Sequence, residues 1–391
     1  MPSVLIVAGE SSGDRHAAGL VRAFRDLDPS VRFFGTGGPA LEGEGVELIA
    51  SIADLALVGL FEIVRALPRV KRIFNRIVRE CEARRPAAAV LVDSPDFNLR
   101  LAKALKKRGI PVLYYISPTV WAWRRGRLKT IRACVERMLL IFPFETEIYR
   151  AAGIPAVYVG HPLIERIKVG LDRTDFARKF SLDPDRPIIA LLPGSRPSEL
   201  KFHLPVLAAA APRLRKEFGA QLVLVLAESL EEDVLNAGLP PAARDGLTVI
   251  RSRGYEAMAA AELILSSCGT ATLEAALLGT PLIAFYRISP LTYALGRPLV
   301  RTRHYCIVNI LAGAAVVPEL IQKRFSAESL VNEARRLLAS EDERARMKQA
   351  FARIRSQLGV ERASLNAARE LAALLERAAR RKRESVSGDR S

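Results

Sequence analysis

At 391 residues, half of them hydrophobic, the chain exceeds one ordinary domain and can build two full cores. Its 59 Lys+Arg against 42 Asp+Glu, net +17, point to an anionic partner (nucleic acid, an anionic membrane or a phosphorylated substrate), although an Arg-rich proteome would give the same excess. Four scattered cysteines without a CxxC pair read as reduced thiols and argue against a disulfide scaffold. There is no signal-peptide pattern, and no window approaches the ~18 consecutive apolar residues of a membrane span, so a soluble or peripheral protein is expected.

In chain order, the first strand is expected at 3–8, followed by A-G-E-S-S-G-D (8–14) and a helix from about Asp14. Gly9 and Gly13 suit a tight turn, and the N–H groups of the helix start suit an anion or sugar hydroxyls. An ordinary βα turn with a Ser or Asp cap would look similar, but such a turn does not require Glu10. Further apolar runs follow at 31–34, 46–50, 87–92, 112–116, 137–142 and 156–159. Run 87–92 releases Asp93 and Asp96; run 112–116 releases Ser117, Trp121 and Trp123. In a parallel sheet, ligands sit outside the carboxyl ends of the strands, so these are candidate substrate-handling residues.

Between these runs, Arg65, Arg69, Arg72, Arg76 and Arg79 recur at helical spacing, opposite Leu67, Val70, Ile73, Phe74, Ile77 and Val78. Leu57, Leu60 and Phe61 add bulky apolar residues just ahead. The pattern predicts a basic amphipathic helix, kinked or restarted at Pro68, that docks on an anionic membrane. The competing reading of such a stripe is core packing.

A polar stretch, 172–187, separates this set from a second one at 188–192, 221–227, 247–250, 262–266 and 281–285. Strand–helix alternation in both sets predicts an α/β chain of two doubly wound, Rossmann-like domains facing a cleft. L-L-P-G-S-R (191–196) offers Gly194, Ser195 and Arg196 to a phosphate, and S-C-G-T-A-T-L-E (267–274) offers Gly269, Thr270 and Thr272, with Glu274 in reach of a ribose. Asp183-Pro184-Asp185 lies in the linker before a strand and reads as a solvated turn. The four histidines are too dispersed for a metal site. From Ser326 the chain is almost all helix-forming, and 384–391 reads as a disordered tail.

GESSGD (9–14), GGP (37–39), DSPDFN (93–98), SPTVWAW (117–123), PFE (143–145), VGHPL (159–163), LPGSR (192–196), SCGTATLE (267–274), YR (286–287), LTY (291–293), NILAG (309–313) and VVPEL (316–320) together resemble the lipid-A-disaccharide synthase family from Val4 to about Leu375. That family comprises bacterial inverting glycosyltransferases of the GT-B fold. Departures are small: Ser11 for Ala, Thr119 for Ser and Cys268 for Ser or Ala. The resemblance implies transfer of 2,3-diacylglucosamine from its UDP donor to the 6-hydroxyl of 2,3-diacylglucosamine 1-phosphate. It implies an acceptor and membrane-side domain at 1–171, a linker at 172–187, a UDP-sugar domain at 188–356 and a helix, 357–383, crossing back to the first domain.

An inverting displacement needs a general base, for which Asp96 is preferred, then Asp93 and Glu10. Ser12, Gly13, Asn98, Ser117, Trp121 and Trp123 are expected on the acceptor side. Tyr286, Arg287 and Asn309 are expected to complete the donor pocket. No cofactor or metal is expected, so Arg196 and the helix start at Thr270 must meet the leaving-group charge. The expected setting is the cytoplasmic face of the inner membrane of a Gram-negative-type bacterium. A UDP-N-acetylglucosamine epimerase or the peptidoglycan transferase would share the donor half, but VWAW and PDFN argue against both. A basic nucleic-acid binder would suit W-A-W-R-R-G-R-L-K (121–129) but leaves the phosphate loops unexplained, so no nucleic-acid partner is expected.

Overall fold

The computed structural model describes residues 2–55, 60–227, 230, 232–239, 244–300, 302–359 and 362–388, with side chains except at 55, 60–66, 232, 237, 299 and 382–388. The chain forms two compact units, Met1–Glu165 with Leu358–Ser391, and Arg166–Gln357.

The first unit holds a seven-stranded parallel sheet: β1 (Ser3–Ala8), β2 (Arg32–Gly37), β3 (Glu47–Ser51), β4 (Ala88–Val92), β5 (Val112–Tyr115), β6 (Arg137–Leu140) and β7 (Ala156–Tyr158), in the order β3-β2-β1-β4-β5-β6-β7. Its central strands are continuous apolar runs because helices cover both faces. Val4, Ile6 and Ala8 pack with Leu20, Phe24, Ala367 and Leu371 on one side. Leu5 and Val7 pack with Ile73, Ile77, Leu101 and Leu105 on the other, which is the period-2 alternation of a strand.

The last helix, Ala363–Gly388, belongs to this unit, where it lies against Ser11–Leu27. Ser364 donates to Glu165 from its N–H (3.0 Å) and its hydroxyl (2.7 Å), Asn366 Nδ2 donates to the Val159 carbonyl (3.0 Å), and Arg137 pairs with Glu370 (2.9 Å). The helix runs through most of the stretch that composition suggested was a disordered tail.

The helix Leu60–Arg84 divides the amphipathic pattern differently from the membrane expectation. Ile73, Ile77 and Cys81 are buried in the sheet layer, with Val70, Phe74 and Val78 packed on them. That part of the stripe is core, while Leu67 stays half-exposed and Arg69 and Arg72 are exposed. Leu57 and the side chains of Leu60, Phe61 and Arg65 lie outside the described residues.

The second unit holds a six-stranded parallel sheet: β8 (Ile188–Leu192), β9 (Gln221–Val225), β10 (Leu247–Ile250), β11 (Leu263–Ser267), β12 (Leu282–Tyr286) and β13 (Glu319–Ile321), in the order β10-β9-β8-β11-β12-β13. β13 was not anticipated, because three residues are too few for a periodic signal. Within the stretch expected as linker, Arg173–Lys179 is a helix, capped by Asp172 accepting from the Asp175 N–H. Asp183 accepts from the Asp185 N–H at 3.0 Å, as a turn aspartate does.

Strand order reverses between β1 and β4 in the first sheet and between β8 and β11 in the second. Crevices at such switch points, outside the carboxyl strand ends, are where doubly wound sheets bind ligands.

Candidate active site

In the first unit, the loops after β1 and β4 meet at the switch point. A Cβ at Gly9 would collide with the Ser94 side chain, so glycine is required for this approach. Asp93 and Ser94 both adopt left-handed backbone (φ 50° and 43°), an arrangement that surroundings must enforce and that clusters at functional sites. The enforcing bonds are visible: Tyr114 Oη donates to the Asp93 carbonyl (2.6 Å), and Asn98 Nδ2 donates to the carbonyls of Val92 (3.1 Å) and Asp93 (2.8 Å). Asn98 is fully buried and holds the strand end; it is not an exposed acceptor contact.

The helix after β1 starts at Ser11, three residues earlier than the spacing suggested, so Gly13 lies buried in its first turn and Ser12 half-buried beside it. Glu10 is exposed at the N-cap. Asp14 is buried and accepts N–H groups from Gly38 (2.7 Å), Ala40 (3.0 Å) and Leu41 (3.2 Å), which ties GESSGD to GGP.

Asp96 opens the helix Pro95–Lys106 with its carboxylate 73% exposed. Arg124 (2.8 Å) and Arg127 (2.6 Å) both donate to its Oδ1, and both guanidinium groups lie over the Trp123 ring (4.4 and 5.3 Å). Trp123 is thus a platform for two arginines. Ser117 is buried, its hydroxyl shared between Tyr149 Oη (2.7 Å) and the Pro118 carbonyl (2.9 Å). Trp121 packs edge-on to Phe144.

Beneath them sits Glu145, 1% exposed. Burial pushes its carboxyl up to about 8, against the opposing pull of hydrogen bonds from Ser117 and the Phe142 N–H. Sequence reasoning does not single out this acid, although PFE (143–145) sets a carboxylate beside Phe144 soon after the apolar run 137–142.

In the second unit, the loops after β8, β11 and β12 line adjacent strand ends. Gly194 has φ 122°, and a Cβ there would collide with the Glu199 carboxylate. That carboxylate accepts the N–H groups of Ser195 (3.0 Å) and Arg196 (3.3 Å), which is the N3 glutamate's half of a capping box on the helix Pro197–Phe218. The Ser195 N–H, expected to help cradle a phosphate, is therefore already bonded. Glu199 was missed, although it stands three residues after the cap.

At the N-terminus of Thr270–Leu278, Gly269 and Thr270 are exposed, and Thr272 Oγ1 bonds back to the Gly269 carbonyl (2.8 Å). The Arg196 side chain, 64% exposed, lies at the end of the neighbouring strand. Glu274 accepts from Tyr255 Oη at 3.0 Å.

Two expected donor contacts are structural. The Arg287 guanidinium donates to the carbonyls of Gln322 and Phe325. Asn309, fully buried, donates to the Val317 carbonyl and Glu319 and accepts from Val316 and Val317, all at 2.8 Å. Both amide atoms are engaged in holding the loop before β13. Tyr286 is half-buried, its hydroxyl 3.5 Å from Glu199.

Solved structures with this arrangement share the fold at low sequence identity. The UDP-GlcNAc 2-epimerase of Neisseria meningitidis bound to UDP-GlcNAc superposes with a TM-score of 0.67 at 13% identity, covering 96% of this chain and 100% of its own. MurG of Acinetobacter baumannii gives 0.54 at 15% over 96% and 100%. Two doubly wound units of this kind are the GT-B architecture.

Sequence comparison narrows the class. The model of the family described as lipid-A-disaccharide synthetase matches residues 4–374. The lipid-A-disaccharide synthase of Syntrophus aciditrophicus is 43% identical over 93% of this chain and 96% of its own, and that of Myxococcus xanthus 41% over 96% and 98%. The chain belongs to the lipid-A-disaccharide synthase family and is an enzyme of the glycosyltransferase class.

Proposed function

We propose that the chain transfers 2,3-diacylglucosamine from UDP to the 6-hydroxyl of 2,3-diacylglucosamine 1-phosphate, by an inverting displacement without a metal. The observation that carries the donor side is the exposed helix start at Gly269–Thr270 at the switch point, with Arg196 at the next strand end. Both stabilise the charge that develops on the departing diphosphate. Asp96 is proposed as general base. Two arginines hold Oδ1, which orients the exposed carboxylate for taking the acceptor proton. Asp93 and Glu10 are the alternates.

The direct test is UDP release from the diacylated donor and acceptor. Turnover is expected to be unchanged by a chelator; abolition by chelator with rescue by Mg²⁺ would refute the arginine and helix-dipole account.

Membrane docking is proposed for the segment 57–67, since the later apolar residues of the basic helix are core and Leu67 is 52% exposed. Among the described residues no helix is long and apolar enough to cross a membrane. Each exposed arginine near an anionic surface adds about 1 kcal/mol, screened by salt. Leu57→Ser, Leu60→Ser and Phe61→Ser together are expected to release the protein from anionic vesicles with the melting temperature nearly unchanged. A large drop in melting temperature would assign these residues to the core.

A further inference from the structure

His203 lies on the helix Pro197–Phe218, is fully buried and takes no part in the chemistry above. Its Nδ1 is 2.6 Å from the Pro193 carbonyl, and its Nε2 lies 3.0 Å from the Arg287 N–H and 3.1 Å from the Arg287 carbonyl. The Pro193 carbonyl can only accept, so Nδ1 carries a proton, while Nε2 meets the Arg287 N–H as an acceptor or, when protonated, the Arg287 carbonyl as a donor. Pro193 follows β8 and Arg287 follows β12, and β11 lies between those two strands. The ring therefore ties the loop after β8 to the loop after β12, the two strands that flank β11. The loop after β11 carries Gly269 and Thr270.

The ring is held on its other sides by aromatic contacts. Phe285, Tyr286 and Phe325 each meet it edge-on, with centroids 5.2–5.6 Å away, and Phe285 stacks on Phe325. Rotation of the imidazole would break both hydrogen bonds and leave a buried carbonyl and a buried N–H unpaired.

We propose that His203 is a positioning residue of the donor site, fixing the loops after β8 and β12 on either side of the Gly269–Thr270 helix start so that a nucleoside diphosphate meets a preformed gap. This rests on assigning UDP to that helix start. The charged and titratable groups facing the ring are Glu199 on its own helix and Arg287 and Tyr286 from β12 and its loop. Burial holds the imidazole below its ordinary range, consistent with a neutral ring at neutral pH.

The probe is UDP, titrated calorimetrically into the full chain, with thermal melting as a parallel readout. His203→Phe keeps a ring for the aromatic contacts and removes both nitrogens. His203→Gln offers an amide that can reach Arg287, and His203→Asn one that can reach Pro193, so each preserves one bond. UDP affinity is expected to fall about tenfold in His203→Phe and less in each amide variant.

Unchanged UDP affinity in a folded His203→Phe would overturn the proposal. So would affinities in the amide variants that merely follow their melting temperatures, which also decides the matter if the Phe variant does not fold. A wild-type chain that does not bind UDP would instead refute the donor assignment, a different failure.

Discussion

Asp96→Asn is expected to lower turnover about 10²–10⁴-fold while UDP affinity and melting temperature stay close to wild type. The amide is nearly isosteric but cannot take the acceptor proton, and loss of a positioned general base is worth that much. The fold should survive because the carboxylate is 73% exposed and its Arg124 partner 50% exposed, and ion pairs between such exposed groups contribute about 1 kcal/mol or less. Arg127→Gln supplies the control: it removes one ion pair and keeps the carboxylate, so its rate should fall far less. Near-normal turnover in Asp96→Asn would move the role to Asp93 or Glu10. Equal losses in both variants would show that Asp96 serves to hold the arginines.

Glu145→Gln is expected to stabilise the first unit, increasingly so as pH rises. The folded-state carboxyl is raised from 4.5 to about 8, so the folded chain keeps a proton that the unfolded chain has released. Between those values the unfolded state binds fewer protons, and stability declines with rising pH. By pH 7 the loss is on the order of 3 kcal/mol. Glutamine is neutral at every pH and retains an acceptor for the Phe142 N–H. Urea midpoints of the two proteins should therefore nearly coincide at pH 4.5 and separate progressively toward pH 8. A separation that does not vary with pH would show that Glu145 is ionised in the folded chain.

Much of the architecture was legible in the sequence. Both sheets are parallel and buried on both faces, so their strands are written as short unbroken apolar runs; β8 and β10 fall at the residues the runs marked. The strand ends were legible for the same reason, since polar residues such as Asp93, Asp96 and Ser195 stand out directly after such a run. Family membership rested on motifs at those ends.

The partner of each polar group was decided only by the tertiary structure. Nothing in the local sequence says that Asn98 turns back to its own strand end, or that Asn309 holds the backbone before β13. Nor does it say that Arg287 caps the carbonyls of Gln322 and Phe325. Apolar residues at helical spacing look the same whether they meet a membrane or a sheet, and only packing places Ile73 and Ile77 in the core while leaving Leu67 outside. Hydrophobic burial depends on composition and period, which are properties of the chain. A hydrogen bond depends on a separation of about 3 Å between groups distant in sequence, and only the folded chain sets that.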